Sequence, residues 1–333
     1  MSITRTIAGR PLKAVGLGCM NVSHAYGHPL SKEDGAKLLS RALDLGYDHL
    51  DSARLYGLGK NEELIGETLK GRRKDFFLAS KMGIIIDGDA RRIDCRPEVI
   101  RSEVEKSLKL LQTDCIDLYY LHRFDKNVPI EDSVGALGDL VKEGKIGGVG
   151  ISEMSEATLR RAHAATPIAA LQNEYSPWTR NVELGTLDAC KELGVALVAF
   201  SPVARGALAG ELRDPATLPQ GDLRLGHPRF NAENWAKNLV LIDQFNALAT
   251  EAGVTPAQLS LNWVLSRGDH VHVIPGTTSV PHLEENLAAL DVTISDDILA
   301  RVGEIINQQT VSGHRYPEGM RKTIDTEEFP ETV

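Results

Sequence analysis

One pattern constrains the fold more than any other: a short apolar strand followed by a longer amphipathic helix, repeated eight times along the chain. The strands are rich in β-branched residues, and the helices carry apolar residues at helical spacing. Three junctions, DLGYDHL, KEGKIGGVG and ELGVALVAF, end a helix on glycine and enter the next strand at once. Short connections of this kind are typical of parallel sheets, so the pattern predicts an α/β architecture.

Two α/β architectures are compatible with this repeat. Eight units in about 300 residues favour a (β/α)8 TIM barrel, and an open doubly wound sheet is the alternative. The opening segment ITRTIAGRPLKAVGLG predicts a β-hairpin, with Gly9 and Arg10 at its turn, that caps the N-terminal end of the barrel. We expect residues 1–333 to form a single domain, with a long loop after the seventh strand and a polar C-terminal tail over about 312–333.

Composition excludes several classes of function. The chain has 333 residues, of which 42% are hydrophobic, and its net charge of −9 argues against a nucleic-acid partner. No apolar segment approaches the roughly 20 residues needed to cross a bilayer, and no secretory signal is expected. The four cysteines lack CxxC spacing, which predicts reduced thiols in a cytoplasmic protein. The oligomeric state is not indicated.

Most of the predicted strands end on a polar residue. In a barrel, active sites lie where strands end and the following loops begin. Lys81 alternates with Ala79 and Phe77 along its strand, so it can point into the barrel. The strand ends comprise Asp51, Lys81, His122, Ser152, Gln172, Ser201 and Gly276.

Four of the polar residues suggest acid–base chemistry. Each has an ordinary alternative: Asp51 could cap a turn, Lys81 could reach solvent, and Tyr56 and His122 could be structural. Together, however, they suit protonation of a carbonyl oxygen while a hydride arrives from elsewhere. A tyrosine with a pKa near 10 is a poor acid, a nearby ammonium lowers that pKa, and a carboxylate holds the ammonium in place. An imidazole can orient the carbonyl oxygen.

The chain resembles the aldo-keto reductase family over nearly its whole length. The resemblance is carried by LDSARLYG, DLYYLHR, GVGIS, LQNEYSP, FSPVARGALAG and IPGTTSVPHLEENL. It implies that Asp51, Tyr56, Lys81 and His122 form a catalytic tetrad, with Tyr56 as the general acid. The implied reaction is reduction of an aldehyde or ketone by NAD(P)H, with reversal towards alcohol oxidation.

The resemblance also implies that NADPH binds in an extended form without a Rossmann domain. The sequence agrees, because it contains no complete G-x-G-x-x-G. Ser152 and Gln172 would hold the carboxamide, and Phe200 would stack on the nicotinamide. The implied cofactor contacts are Met20, Asp51, Ser152, Gln172, Phe200, Ser201, Val203, Arg205, Gly276, Thr277, Ser279, His282, Glu285 and Asn286.

Two positions depart from the family pattern. Glu153 stands where many relatives have asparagine, which would bring a negative charge near the carboxamide. The segment GTTSV lacks the basic residue that relatives commonly set against the 2′-phosphate, and the nearby Ser279 and His282 carry no firm positive charge. NADPH is the cofactor that the resemblance favours, and NADH is the alternative.

Loops after the strands are expected to build the substrate pocket, with Tyr26, Met82, Arg123 and Trp178 as candidate contacts. The loop after the seventh strand could fold over the cofactor or stay on the surface, and the tail could border the pocket or be disordered.

Two other functions compete with a reductase. A non-catalytic cofactor-binding module, such as the β-subunits of potassium channels, is the main alternative. A metal-dependent hydrolase is disfavoured, because His270 and His272 lie at the start of their strand, and His24 and His28 read as solvated or pocket-lining residues. We therefore predict no metal and a small-molecule carbonyl substrate.

Overall fold

The sheet is a barrel of eight parallel strands. The structure is a computed structural model that describes residues 3–27, 29–88 and 90–330. The strands of this part of the chain are β1 (Thr4–Ile7), β2 (Arg10–Lys13), β3 (Leu17–Gly18), β4 (His49–Asp51), β5 (Phe77–Met82), β6 (Ile84–Asp87), β7 (Ala90–Ile93), β8 (Leu118–Leu121), β9 (Val149–Ser152), β10 (Ile168–Glu174), β11 (Ala196–Phe200) and β12 (Val271–Val273).

The barrel order is β3-β4-β5-β8-β9-β10-β11-β12, and all seven neighbouring pairs are parallel. Parallel bridges from Val15 to Val273 and from Gly18 to Gly276 join the first strand to the last. The sheet therefore closes on itself, which excludes the open doubly wound alternative and confirms the predicted barrel.

Helices surround the barrel and follow the predicted signals. Ser31 caps α2 by accepting from the main-chain N–H of Asp34, and Gly46 ends the helix with a φ of 96°. The helices are α1 (Met20–Ser23), α2 (Lys32–Leu45), α3 (Lys60–Leu69), α4 (Pro97–Leu111), α5 (Ile130–Lys142), α6 (Glu156–Ala165), α7 (Thr186–Leu193), α8 (Ala232–Glu251), α9 (Pro256–Leu265), α10 (Val280–Ala288), α11 (Asp296–Ile305) and α12 (Glu318–Arg321). None of them, within the described ranges, combines the length and apolar character needed to cross a membrane.

The N-terminal hairpin closes the bottom of the barrel. Its strands β1 and β2 pair antiparallel, and Ile7 and Leu12 are buried in one cluster with inward side chains of the barrel strands. The turn lies one residue earlier than predicted. Ala8 and Gly9 both have positive φ angles, whereas Arg10 already pairs with Ile7 as the first residue of β2. Two successive left-handed residues fit a tight hairpin turn, and the glycine makes this turn favourable.

Three segments rise above the opposite end of the barrel. The first is the hairpin β6–β7, which follows β5 directly. The second is the predicted loop after β11, which runs through short 3₁₀ turns to the start of α8. The third is the tail after α11, which contains α12 and is described as far as residue 330. All three contribute to the cavity at the mouth of the barrel.

Candidate active site

Neighbouring strands bring the four predicted catalytic residues together. Asp51 ends β4, and Lys81 lies in β5, which is the next strand of the barrel. Tyr56 begins a 3₁₀ turn after β4, and His122 follows β8 directly. All four side chains are buried, as expected for residues at the carboxyl ends of barrel strands.

Lys81 is the central donor of this group. Its Nζ donates to Asp51 Oδ1, to the main-chain carbonyl of Ser52 at 2.7 Å, and to the Tyr56 hydroxyl at 3.4 Å. The second carboxylate oxygen of Asp51 accepts from Gln172 Nε2 at 2.8 Å. Burial alone would lower the pKa of Lys81, but the charge of Asp51 raises it above its usual value. Lys81 is therefore a fixed ammonium beside a phenol.

The pKa of Tyr56 differs from the sequence expectation. Burial raises this pKa above its usual value of 10, and the Lys81 ammonium offsets only part of the rise. The effect of Lys81 has the predicted direction, but the desolvation of the phenolate outweighs it. Tyr56 is therefore a protonated hydroxyl at neutral pH in this structure, not a phenol with a depressed pKa.

His122 stands edge-on to Tyr56, with ring centroids 6.0 Å apart. Burial, assisted by the charges of Arg123 and Lys81, holds the pKa of His122 well below its usual range. Its Nδ1 is buried and has no hydrogen-bond partner in the described part of the chain. A neutral imidazole in this position can share a carbonyl oxygen with the Tyr56 hydroxyl.

A cavity of about 870 Å³ opens in front of these residues and extends across the mouth of the barrel. Asp51, Tyr56 and His122 line it, whereas Lys81 lies behind them. Of the predicted cofactor contacts, Ser279 alone is not part of the lining. The others that line the cavity are Met20, Ser152, Gln172, Phe200, Ser201, Val203, Arg205, Gly276, Thr277, His282, Glu285 and Asn286.

The four predicted substrate contacts divide into two pairs. Tyr26 and Arg123 line the cavity. Met82 is buried with the residues between barrel and helices, because strand alternation turns it outward when Lys81 points inward. Trp178 stacks on Phe230 with ring centroids 6.0 Å apart. We therefore do not retain Met82 and Trp178 as substrate contacts.

Neither of the two histidine pairs considered as metal ligands belongs to a metal site in the described part of the chain. His24 lines the cavity, and His28 lies outside the described residues. His270 Nε2 donates to the main-chain carbonyl of Leu187 at 3.1 Å, and His272 is buried in β12. No group of three potential ligands that could hold a metal occurs in residues 3–27, 29–88 and 90–330.

The cavity fits an extended dinucleotide. The loop after β11 places Ser201, Ala204 and Arg205 in left-handed conformations, and such alternation of backbone handedness is typical of anion-binding loops. The cavity continues from this loop to the start of α10, where a helix N-terminus favours an anion. At this far end His282 Nε2 lies 3.2 Å from Glu211 Oε1, so the beginning of the loop after β11 contacts α10.

Glu153 is part of a buried ion-pair network and does not act as a free charge. Arg315, from the tail, donates to Glu153 Oε2 at 2.8 Å and to Glu174 Oε2 at 3.3 Å. Arg205 donates to the same Glu174 oxygen at 2.9 Å. Burial alone would raise the pKa of Glu174, but nearby positive charges, chiefly those of Arg205 and Arg315, bring it to about 2. The tail thus supplies the cation that neutralises the unusual glutamate.

The network also anchors the tail over the cavity. Tyr316 lines the cavity, and its ring lies under the guanidinium of Arg315 at 4.7 Å and under that of Arg205 at 5.3 Å. Further along, Asp325 accepts from the main-chain N–H of Ser155 at 3.0 Å, at the start of α6. The tail therefore borders the pocket, which was the first of the two expectations for this segment.

Several lining residues were missed by sequence reasoning, and they come from the three segments above the barrel. Arg91 belongs to the β6–β7 hairpin, for which the Asp-Gly dipeptide at 87–88, directly after three isoleucines, was an available signal. Leu223, Arg224 and His227 come from the loop after β11, and Tyr316, Pro317 and Met320 come from the tail.

The tail anchor leads to a stability prediction. Arg315→Met leaves the Glu153 carboxylate buried without its partner, so we expect the free energy of unfolding to fall by about 3–5 kcal/mol. Denaturant unfolding measures this change. The double variant Glu153→Gln, Arg315→Met should recover part of the loss. Arg301→Met, which removes an exposed ion pair with Glu251, is the matched control and should change little. Equal losses of stability in Arg315→Met and Arg301→Met would contradict the role of Arg315 in anchoring the tail.

Comparisons with known proteins assign the family. The model of the aldo/keto reductase family matches residues 14–307. The chain is 42% identical to "Aldo-keto reductase yakc [NADP(+)]" of Schizosaccharomyces pombe, over 99% of this chain and 100% of the relative. It is 41% identical to "Probable aldo-keto reductase 1" of Glycine max, over 94% of this chain and 90% of the relative.

Solved structures give the same assignment. The glycerol dehydrogenase AKR11B4 from Gluconobacter oxydans superposes with a TM-score of 0.84 and 28% identity, covering 95% of this chain and 98% of the other. The holo form of the aldo-keto reductase AKR11C1 from Bacillus halodurans superposes with a TM-score of 0.76 and 27% identity, covering 96% and 99%. The chain belongs to the aldo/keto reductase family and is an oxidoreductase.

Proposed function

We propose that the chain is an NADP-dependent oxidoreductase that reduces an aldehyde or ketone to an alcohol, with Tyr56 as the general acid. The observation that carries the proposal is the 3.4 Å contact from Lys81 Nζ to the Tyr56 hydroxyl, made by an ammonium that Asp51 holds in place. The relative from Schizosaccharomyces pombe carries NADP(+) in its name, which supports the choice of cofactor.

The chain's own residues provide a route for the proton. The Tyr56 hydroxyl lines the cavity and is protonated at neutral pH, because its pKa is raised. It can donate to the oxygen of a bound carbonyl group, and the neutral His122 can hold that oxygen from the side. Lys81 then stabilises the phenolate that proton donation leaves behind. The nicotinamide cofactor, when bound, supplies the hydride to the carbonyl carbon or accepts it in the reverse reaction.

Cofactor binding is assigned to the cavity wall formed by the later strands. Ser152 and Gln172 would hold the carboxamide, and Phe200 would stack on the nicotinamide. The loop from Ser201 through Val203 to Arg205 would hold the pyrophosphate. Gly276, Thr277, Glu285 and Asn286 would hold the adenosine end, with Ser279 and His282 nearby. NADH remains the alternative cofactor, because the described residues at this end of the cavity include Glu211 and Glu285 and no arginine or lysine.

The role of Tyr56 is tested by Tyr56→Phe. We expect kcat for aldehyde reduction to fall about 100-fold or more, because the general acid is lost, while NADPH still binds. NADPH oxidation with a panel of aldehydes and ketones, together with a fluorescence titration of NADPH, measures both effects. Tyr175→Phe is the matched control, since its hydroxyl contacts Glu183 outside the cavity. Parent-like kcat in Tyr56→Phe would refute the assignment. Failure of the parent across the whole panel, with NADPH still bound, would favour the non-catalytic module.

The electrostatic role of Lys81 is tested by the pH dependence of the rate in Lys81→Met. Reduction requires protonated Tyr56, so the rate is present below the pKa of Tyr56 and is lost as pH rises through it. Lys81 lowers that pKa, so its removal should shift the alkaline limb of kcat/KM to higher pH while the plateau falls. The profile is measured from neutral pH to about pH 11. The double variant Lys81→Met, Asp51→Asn is the control, because Lys81→Met alone leaves the Asp51 carboxylate buried and unpaired. An unshifted limb would rule out this role.

Cofactor preference is tested at the far end of the cavity. Glu211→Gln removes a negative charge near the expected position of the 2′-phosphate, so it should lower KM for NADPH and leave KM for NADH unchanged. The effect should weaken with added salt, since the side chain is exposed. Glu284→Gln is the control, because this residue lies on α10, which carries the lining residues His282 and Glu285, but is itself outside the cavity. Equal changes with both cofactors would remove Glu211 from the cofactor site.

A further inference from the structure

Arg123 is a buried cation without a carboxylate. Its side chain lines the cavity, yet the residue is only 7% exposed. Nη1 donates to the main-chain carbonyl of His122 at 2.7 Å, and Nε is buried without a partner in the described part of the chain. Burying a charged group is costly unless it is paired and hydrogen-bonded. Arg123 thus lines the cavity with at least one donor, Nε, that no described residue satisfies.

Arg91 supplies a second cation at the same place. It lies on β7 and lines the same cavity. Burial and the charge of Arg123 both lower the pKa of Arg91, so the two guanidiniums repel each other. Among the described residues, neither has an aspartate or glutamate oxygen within ion-pair distance. Arg91 and Arg123 are called the arginine pair below.

The arginine pair differs from the other arginines that line the cavity. The other arginines of the cavity are paired: Arg205 lies 2.9 Å from Glu174, and Arg224 lies 2.7 Å from Asp222. Arg92, the neighbour of Arg91 in the chain, pairs with Asp94. Because the chain has 46 acidic and 37 basic residues, the missing partners do not reflect a shortage of carboxylates.

The arginine pair lies beside the proposed proton donor. Arg123 follows His122 in the chain, and the His122 ring stands edge-on to Tyr56. Arg123, Tyr56 and Tyr316 all line the same cavity. A short substrate with its carbonyl oxygen at Tyr56 therefore brings its other end towards the arginine pair.

We propose that the arginine pair binds an oxyanion on the carbonyl substrate, so that the preferred substrates are aldehydes or ketones bearing a carboxylate or a phosphate ester. Guanidinium groups bind both oxyanions through paired hydrogen bonds, and such bonds are stronger where water is excluded. The inference rests on the proposed reductase function and names the substrate class of the same site.

Matched substrates test the inference. The carboxylate probe is 4-carboxybenzaldehyde, and its neutral counterpart is the methyl ester. The phosphate probe is glyceraldehyde 3-phosphate, and its neutral counterpart is glyceraldehyde. We expect kcat/KM to favour at least one anion over its neutral counterpart by about tenfold or more, mainly through KM. Which anion is favoured identifies the oxyanion that the site takes.

Variants assign any preference to the arginine pair. Arg91→Met and Arg123→Met should each lower the ratio of anionic to neutral kcat/KM about tenfold. Arg91→Lys should keep part of the ratio. Arg92→Met is the matched control from the same strand and should leave the ratio unchanged. If Arg123→Met does not fold, Arg91→Met on the exposed hairpin carries the test.

The outcomes separate this inference from the proposed function. Reduction of neutral and anionic probes at equal kcat/KM, or an anion preference that survives Arg91→Met and Arg123→Met, would overturn the substrate class and leave the reductase intact. Absence of reduction with every probe would refute the proposed function itself. As a further measurement, benzoate should inhibit reduction of the neutral ester competitively and more strongly than benzamide does, and equal inhibition would also overturn the inference.

Discussion

The ion pair between Lys81 and Asp51 is the interaction on which the arrangement of this site depends. Both side chains are removed from water, and an unpaired charge in that position would destabilise the barrel by several kcal/mol. Pairing is geometrically simple, because β4 and β5 are neighbours and both residues stand at their carboxyl ends. The contacts of Lys81 with Ser52 and Tyr56, and of Asp51 with Gln172, then fix the rest of the group around one ammonium.

The architecture could be predicted from the sequence because it depends on local signals. Glycines such as Gly46 end helices in left-handed conformations, and strands follow at once, so the repeat itself specifies parallel pairing. The same reasoning predicted that polar residues at successive strand ends would meet. It misplaced the hairpin turn by one residue, because the two turn residues with positive φ are Ala8 and Gly9, not Gly9 and Arg10.

Properties that depend on tertiary burial could not be predicted in this way. The pKa of Tyr56 is a balance between Lys81 and desolvation, and the depth of burial is not visible in the sequence. In the sequence Glu153 had no evident partner for its charge, because Arg315 lies 162 residues further along the chain. Met82 and Trp178 were assigned to the pocket by loop position, and their packing against other buried residues overrides that position.

Anchoring of the tail by Arg315 has a consequence for the order of assembly. During translation the eight strands and their helices leave the ribosome before the tail does, so a barrel can close while Glu153 still lacks its partner. The carboxylate must then stay hydrated until the tail arrives. The wall formed by Tyr316 is completed only after the tail has emerged and Arg315 has reached Glu153, so a nascent chain that still lacks its tail has a barrel whose mouth lacks this wall.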